Sequence, residues 1–105
     1  MRTLRAIEFI RRHACEGIAP PAVAEAMGCS RRLADSRFRV ATGHTILDEI
    51  HAVRLAHVKE LLMKPGQEIS AIPALCGYSS VEDLCRVFKR RTGKTMRQFR
   101  LGAGE

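Results

Sequence analysis

The chain has 105 residues, which suits one compact domain, and it carries 18 Lys and Arg against 11 Asp and Glu, a formal net charge of +7. This excess of positive charge favours a polyanionic partner. The sequence contains no run of about 18 apolar residues that could span a bilayer, so we predict no membrane partner and a cytoplasmic protein.

The first predicted helix covers the segment TLRAIEFIRRHAC and ends before Gly17. Its apolar residues recur at helical spacing, with Arg and Glu between them. The residues expected on its inward face are Leu4, Ile7, Ile10 and Ala14. This pattern indicates an amphipathic helix with one face against a core.

Two more helices follow within the first subdomain, which we place at residues 3–43. The second begins at the Pro20–Pro21 pair, which a first helical turn tolerates, and stops at Gly28. Ser30 then caps a third helix over about 31–42. The region up to residue 43 is therefore predicted to be three helices joined by short turns.

A long linker helix is predicted over residues 45–64. Thr45 and Asp48 form a capping box at its start, and the sequence KPG ends it after Met63. Its apolar residues form two stripes: Ile46, Ile50, Val53 and Leu61 on one, and Leu47, Leu55, Val58 and Leu62 on the other. A helix with two apolar flanks can join two small cores.

The segments on either side of the linker resemble each other. VAEAMGCSRRLADSRFRVATGHT and IPALCGYSSVEDLCRVFKRRTGKT share a short apolar helix, a Gly turn, a Ser cap and a helix that carries Phe before a closing T-G-x-T. The second turn is one residue longer, and we expect Ser70 to cap the short helix that contains Pro73. The repeat predicts an all-α fold of about seven helices, in which two helix-turn-helix subdomains (3–43 and 69–101) are joined by the linker.

The ordered motifs make the chain similar to the paired helix-turn-helix DNA-binding domain of AraC/XylS-type bacterial transcription regulators. They are GYSSVEDLCRVFKRRTGKTMRQFR, with its G-[YF], Phe-Lys and G-x-[ST] features, and RLAHVKELL, which fits R-L-x-x-A-x-x-L-L. RRHACEGI and CSRRLADSRF look most similar to regulators of the xylose-operon type. The sequence departs from the family at Leu84 for Phe, at Met96 for Pro, and at Ala34 for Leu, with Leu33 shifted by one.

The resemblance implies sequence-specific binding of double-stranded DNA, with recognition helices at about 31–42 and 80–92 that read successive major-groove segments. Arg31 and Arg32 oppose the helix dipole in a first turn, so an external phosphate or guanine edge suits them better than folding does. The family's base-reading positions match Arg32, Asp35, Ser36, Val81, Glu82, Cys85 and Arg86. Glu82 needs a hydrogen-bond donor such as cytosine N4.

Phosphate contacts are expected from basic side chains and from backbone N–H groups at helix starts. The residues are Thr45, Lys59, Lys89, Arg90, Lys94, Thr95 and Arg97. The spacing of Phe38, Leu84, Phe88 and Phe99 places them in the core. Five aromatic residues are also too few for the stacking platforms of single-strand or RNA binders. RNA polymerase and an effector or dimerisation domain in a longer parent chain are further candidate partners.

The cysteines and histidines indicate no metal, cofactor or catalytic site. Cys15, Cys29, Cys76 and Cys85 form no C-x-x-C pair, and no H-x-x-x-H is present. We therefore predict buried thiols in a reducing compartment and no enzyme. Two alternatives remain open: a basic helical protein-interaction module without sequence-specific DNA binding, and a cysteine enzyme that uses Cys85 beside Arg86.

Overall fold

The computed structural model describes residues 2–102, which form seven α-helices, two single 3₁₀ turns and short connections, with no strand in this range. The helices are α1 (Arg2–His13), α2 (Pro20–Met27), α3 (Arg31–Thr42), α4 (Ile46–Leu62), α5 (Ile72–Cys76), α6 (Val81–Thr92) and α7 (Met96–Gly102). The prediction of an all-α fold with about seven helices is confirmed. None of these helices combines the length and the apolar character that crossing a membrane requires.

The chain divides into two compact units, the first ending at Arg54 and the second beginning at Leu55, so that α4 contributes to both. The core of the first unit consists of Ala6, Ile10, Ala14, Val23, Ala24, Met27, Ala34, Phe38, Ile46 and Ile50. The buried apolar residues of the second are Leu55, Val58, Leu62, Ile72, Cys76, Tyr78, Leu84, Phe88 and Met96. In each unit, α3 or α6 lies against this core through a fully buried phenylalanine.

Two leucines that the periodicity placed on inward faces are exposed instead. Leu4 is 66% exposed, because the buried face of α1 is defined by Ala6, and Leu4 lies about 200° around the helix from it. Leu47 is 44% exposed, because Ile46 takes the buried position and the next residue is turned by about 100°. Both predictions of burial are wrong.

Both α3 and α6 begin after a glycine turn and a serine cap. Gly28 (φ 73°) and Gly77 (φ 89°) end α2 and α5 in the left-handed conformation, which glycine adopts without steric cost. Ser30 Oγ accepts from the Leu33 amide at 3.3 Å, and Ser80 Oγ accepts from the Asp83 amide at 3.0 Å. From the serine onward, equivalent residues of the two units are 50 positions apart.

The segments that close α3 and α6 also match. Thr42 Oγ1 donates to the Phe38 carbonyl at 2.8 Å, and Thr92 Oγ1 donates to the Phe88 carbonyl at 2.7 Å. The capping box predicted at Thr45 is confirmed, since its amide donates to Asp48 Oδ2 at 3.0 Å and its hydroxyl accepts from the Asp48 amide at 3.1 Å. In both units, therefore, a serine cap begins the helix, α3 or α6, and the same threonine hydroxyl bond closes it.

In each unit, one arginine donates to backbone carbonyl groups that are more than 30 residues away in sequence. Arg54, only 7% exposed, donates from Nε to the Ala14 carbonyl at 2.7 Å and from Nη2 to the Ile18 carbonyl at 2.8 Å. Arg100 donates from Nε to the Leu62 carbonyl and from Nη2 to the Gln67 carbonyl, both at 2.8 Å. Each guanidinium donates to two carbonyl groups. One lies at or near the end of a helical segment, where it lacks a partner within the helix, and the other lies in the connection that follows.

Two local predictions in the sequence analysis are wrong. Ser70 does not cap α5, because it lies inside a 3₁₀ turn (Ile69–Ala71), and Ala71 precedes the helix without a side-chain cap. The cysteines are not uniformly buried. Cys76 is buried, whereas Cys85 is exposed because it lies on the outward side of α6, and Cys15 and Cys29 are half-buried.

Candidate nucleic-acid interface

Most of the side chains of α3 and α6 that are predicted to contact bases are accessible. The exposed ones are Arg31, Arg32, Ser36, Glu82, Cys85 and Arg86, and the half-buried ones are Asp35 and Val81. In both helices, one side is fully buried at two positions, Ala34 with Phe38 and Leu84 with Phe88. The core therefore fixes which side each helix presents to a ligand.

The outward direction of α3 follows from its buried residues. Ala34 and Phe38 lie within about 40° of each other around the helix axis, and Ser36 lies on the opposite side. Arg32 is about 40° from Ser36, so these two predicted contacts share one surface. Arg31 lies nearer the core side, and its Nε is 3.8 Å from Asp35 Oδ2. This loose, solvent-exposed pair leaves the Arg31 guanidinium available for an additional acceptor.

A cavity of about 360 Å³ lies between the recognition helix of the first unit and the start of α4. It is lined by Pro20, Arg31, Asp35, Ser36, Arg39, Thr45 and Leu47. The structure thus brings together three predicted base contacts and one predicted phosphate contact. Two guanidinium groups, two hydroxyl groups and one carboxylate line this cavity, and they can bind an anionic group that carries hydrogen-bond acceptors.

The outer side of α6 is organised differently. Arg86 Nη2 donates to Asp83 Oδ1, and the Asp83 amide is held in turn by the Ser80 cap. The Arg86 guanidinium is therefore positioned by a carboxylate one turn closer to the start of the helix, and its other N–H groups can reach an external acceptor. Glu82 and Cys85 are exposed beside this pair.

The predicted phosphate contacts fall into two groups. Lys59, Lys89, Arg90, Lys94 and Arg97 are exposed cations of the second unit. Among them, Lys59 Nζ lies 5.8 Å from the centre of the Phe99 ring, within range for a cation–π interaction. Lys89 Nζ donates to the Gly93 carbonyl over a long 3.4 Å.

The two threonines differ from the expectation in one respect. Their amides are already bonded within the chain, because Thr45 N–H donates to Asp48 Oδ2 and Thr95 N–H donates to Gln98 Oε1 at 2.9 Å. The backbone donors proposed at these positions are therefore occupied. The hydroxyl hydrogen of each threonine is the group that a phosphate could still accept from.

Arg39 was missed by the sequence analysis. It lines the same cavity as Arg31 and Thr45, and it is exposed. The repeat offers the signal that could have found it, because Arg39 occupies the position of Lys89, 50 residues later. Among residues 2–102, no group of three or more His, Cys, Asp and Glu side chains could hold a metal ion.

Comparison with known families identifies the class of protein. Residues 23–102 match the family described as "Helix-turn-helix domain", more than three quarters of the chain. The chain belongs to this family, and it is a helix-turn-helix DNA-binding domain of the AraC type, as its motifs indicate.

The chain is similar to the "Xylose operon regulatory protein" of Escherichia coli strain K12, with 36% identity over 97 residues, 92% of this chain and 25% of that protein. A solved structure described as "xylose-binding transcription activator xylR" matches with 37% identity and a TM-score of 0.75, over 90% of this chain and 25% of the other. The DNA-binding domain of AdpA, solved with a target DNA, shares the fold with a TM-score of 0.86 at 24% identity, over 95% and 90% of the two chains. This chain spans about a quarter of the length of the curated relatives it matches.

Proposed function

We propose that this domain binds specific duplex DNA sites for a bacterial transcription regulator, without chemistry of its own, and that α3 and α6 are its two recognition helices. Each helix would read its own segment of the major groove, since an α-helix fits there and base pairs are distinguishable along that edge. The proposed base contacts are Arg31, Arg32, Asp35, Ser36, Val81, Glu82, Cys85 and Arg86. Base contacts supply specificity, and the surrounding cations supply much of the affinity.

The observation that carries this proposal is the exposed arginine pair at the start of α3. Arg31 and Arg32 occupy the first turn, where a positive charge opposes the helix dipole at a cost of about 0.3–1 kcal/mol each. Both side chains are exposed, and Arg31 makes only the loose contact with Asp35. Folding therefore gains little from them, whereas phosphate oxygens and the guanine edge both accept hydrogen bonds from guanidinium groups.

The phosphate contacts would come chiefly from the second unit. Lys59, Lys89, Arg90, Lys94 and Arg97 are exposed there, with Thr95, while the first unit would add Thr45 and Arg39. Side chains of this kind bind any duplex sequence, because the phosphate backbone carries no base identity. They fix the position of the recognition helices on the DNA.

We also propose the setting in which the domain works. The relatives are about four times as long, so an effector-binding or dimerisation domain in a longer parent chain would control this one. The names of two relatives refer to xylose, which makes a sugar a reasonable first effector to test with a parent chain. RNA polymerase is the partner expected of an activator, and the cytoplasm is where bacterial DNA is found.

The test is selection of bound duplexes from a random pool, followed by titration of the selected site at several salt concentrations. If about six phosphates are neutralised, log K should fall against log salt with a slope near −5. Arg90→Gln should make this slope less steep by about 1, because one phosphate contact is lost. Arg12→Gln is the matched control, because Arg12 is exposed on α1 and paired with Glu8 at 3.0 Å, and its slope should not change.

Three outcomes would count against the proposal. A slope near zero would exclude phosphate binding as a source of affinity. Tighter binding to single strands than to duplex would exclude major-groove readout. Recovery of no preferred sequence would favour the alternative, a basic helical module that binds proteins or binds DNA without specificity.

A further inference from the structure

Leu33 is an apolar side chain that the core of the first unit does not use. It is 41% exposed in the first turn of α3, whereas its neighbour Ala34 is fully buried beside Phe38. Leu33 is therefore outside the buried core of this unit, although the domain covers more than half of its surface.

Leu33 lies beside Ser36, one of the predicted base contacts of α3, and about 160° around the helix axis from two others, Arg31 and Asp35. The direction opposite the core passes through Ser36, and Leu33 is about 60° from it on the side away from Arg32. Arg37 lies about 40° further round, so the leucine is flanked by two arginines. A ligand on this surface meets an isobutyl group between positive charges.

The second unit shows that the fold does not require an apolar residue at this position. Its equivalent is Asp83, which accepts a hydrogen bond from Arg86 and has its amide held by Ser80. The serine cap forms in both units, with leucine at this position in the first and aspartate in the second, so the cap does not depend on this side chain. Formation of the helix therefore does not require leucine at this position.

We infer that Leu33 determines specificity by packing against the C5-methyl group of a thymine in the major groove, an inference that rests on the duplex binding proposed above. The thymine methyl is the apolar group on the major-groove edges of the base pairs, and side chains that contact it are apolar. The flanking arginines favour a polyanion over an apolar protein partner. The first turn of a recognition helix is also the part that reaches base edges.

Val40 provides a matched control within the same helix. It is 85% exposed and lies seven residues after Leu33, about 20° from it around the axis and about 10 Å further along. It is therefore apolar, accessible and on the same side, but two turns beyond the part of the helix expected to contact bases. Truncation to alanine at either position removes exposed apolar surface from the same helix.

The experiment measures recognition of a single methyl group with the full 105-residue chain. Duplexes are first selected from a random pool, and the half-site read by α3 is identified as the one whose preferences Arg32→Ala relaxes. Each thymine of that half-site is then replaced by deoxyuridine, which removes only the methyl group. Affinities for the thymine and uracil duplexes are measured with the unaltered chain, Leu33→Ala and Val40→Ala.

At one thymine, uracil should weaken binding by the unaltered chain about three- to fivefold, the effect of one buried methyl group. Leu33→Ala should bind the two duplexes equally, while Val40→Ala should keep the full difference. Thermal unfolding of Val40→Ala should match the unaltered chain, because Val40 is 85% exposed, and Leu33→Ala should lower the midpoint only slightly, because Leu33 is outside the buried core.

The inference is overturned if Leu33→Ala retains the sensitivity to uracil, if uracil has no effect at any thymine, or if the selected half-site contains no invariant thymine. Loss of sensitivity in Val40→Ala as well would also overturn it. The failure of the underlying proposal looks different, because the random pool would then give no preferred sequence at all, and both proposals would be rejected.

Discussion

The recognition helices α3 and α6 share the residues that begin, bury and end them, but the charges of their first turns are opposite in sign. Both follow a serine cap, bury a phenylalanine in their third turn and end at a left-handed glycine. However, α3 begins with Arg31 and Arg32 and has Arg39 as its last-turn cation, whereas α6 begins with Glu82 and Asp83. The charges of α6 agree with the helix dipole, and those at the start of α3 oppose it.

The difference continues through the end of each helix and the following turn. The second unit has Lys89, Arg90, Arg91, Lys94 and Arg97, where the first has Arg39, Val40, Ala41, His44 and Leu47. Residues that hold the backbone are shared, and residues that point outward are not. If the domain binds DNA as proposed, the second unit would contribute more of the phosphate binding, and the first would rely more on contacts with base edges.

The largest expected effect is a loss of unfolding free energy at a core position where the two units carry different residues. Ile50 is fully buried in the first unit, and its equivalent in the second is Arg100. Ile50→Asp would place a carboxylate in an apolar core and should destabilise the first unit by about 4 kcal/mol. Urea unfolding followed by circular dichroism measures this change.

Leu47→Asp is the control for that variant. Leu47 lies in the first turn of the same helix but is largely exposed, and an acidic residue there is favourable to the helix dipole. Its midpoint should change little. An unchanged midpoint for Ile50→Asp would place Ile50 outside the core and contradict the packing described here.

The next largest effect compares the two arginines that bond carbonyl groups. Arg54→Ala should cost about 3 kcal/mol of unfolding free energy, because it removes two charge-assisted bonds and leaves the Ala14 carbonyl with only its long 3.4 Å bond from the Gly17 amide. Arg100→Ala should cost about 1–2 kcal/mol, because Arg100 is only half-buried and water can replace it. Arg54→Lys should be intermediate, since an ammonium lacks the planar fork. Equal losses for the two alanine variants would show that burial does not set the cost.

These long-range bonds mark the limit of what the sequence could predict about the fold. The capping box at Thr45 and the glycine turns were predicted because their signals lie within a few residues. The bonds of Arg54 span 36 and 40 residues, and no local pattern announces them. Ser70 was assigned wrongly as a cap because cap preferences do not distinguish an α-helix from the 3₁₀ turn that precedes α5.

The interface was predicted less completely, for a similar reason. Periodicity identified the buried side of each recognition helix, and family resemblance identified the candidate contacts on the other side. The adjacent pair Leu33 and Ala34 could not be resolved from sequence, because either residue is apolar enough for the core. Only the structure shows that the smaller one is buried.

Affinity measurements can show which base pairs depend on α3 and which depend on α6. Arg32→Ala should weaken binding to the selected site by about 1–3 kcal/mol and relax preference at one end of it. Arg86→Ala should relax preference at the other end, with Arg12→Ala as an exposed arginine control on α1. A base-by-base affinity profile of each variant is the measurement. If both variants disturb the same base pairs, the assignment of one helix to each segment is wrong.

The smallest effect concerns Glu82, the acidic residue whose place near DNA most needs explanation. Its charge repels every nearby phosphate, but its carboxylate can accept from the N4 amino group of one cytosine. Glu82→Gln removes the repulsion and weakens that acceptor, so non-specific duplex should bind about two- to fivefold tighter while discrimination at one base pair falls. Glu68→Gln, an exposed charge outside α6, should change neither quantity. Titrations with a random duplex and with the four variants of each base pair distinguish these effects. If Glu82→Gln weakens all sequences equally, Glu82 supports the fold of α6 and does not read a base, and the acidic start of that helix is explained by the dipole alone.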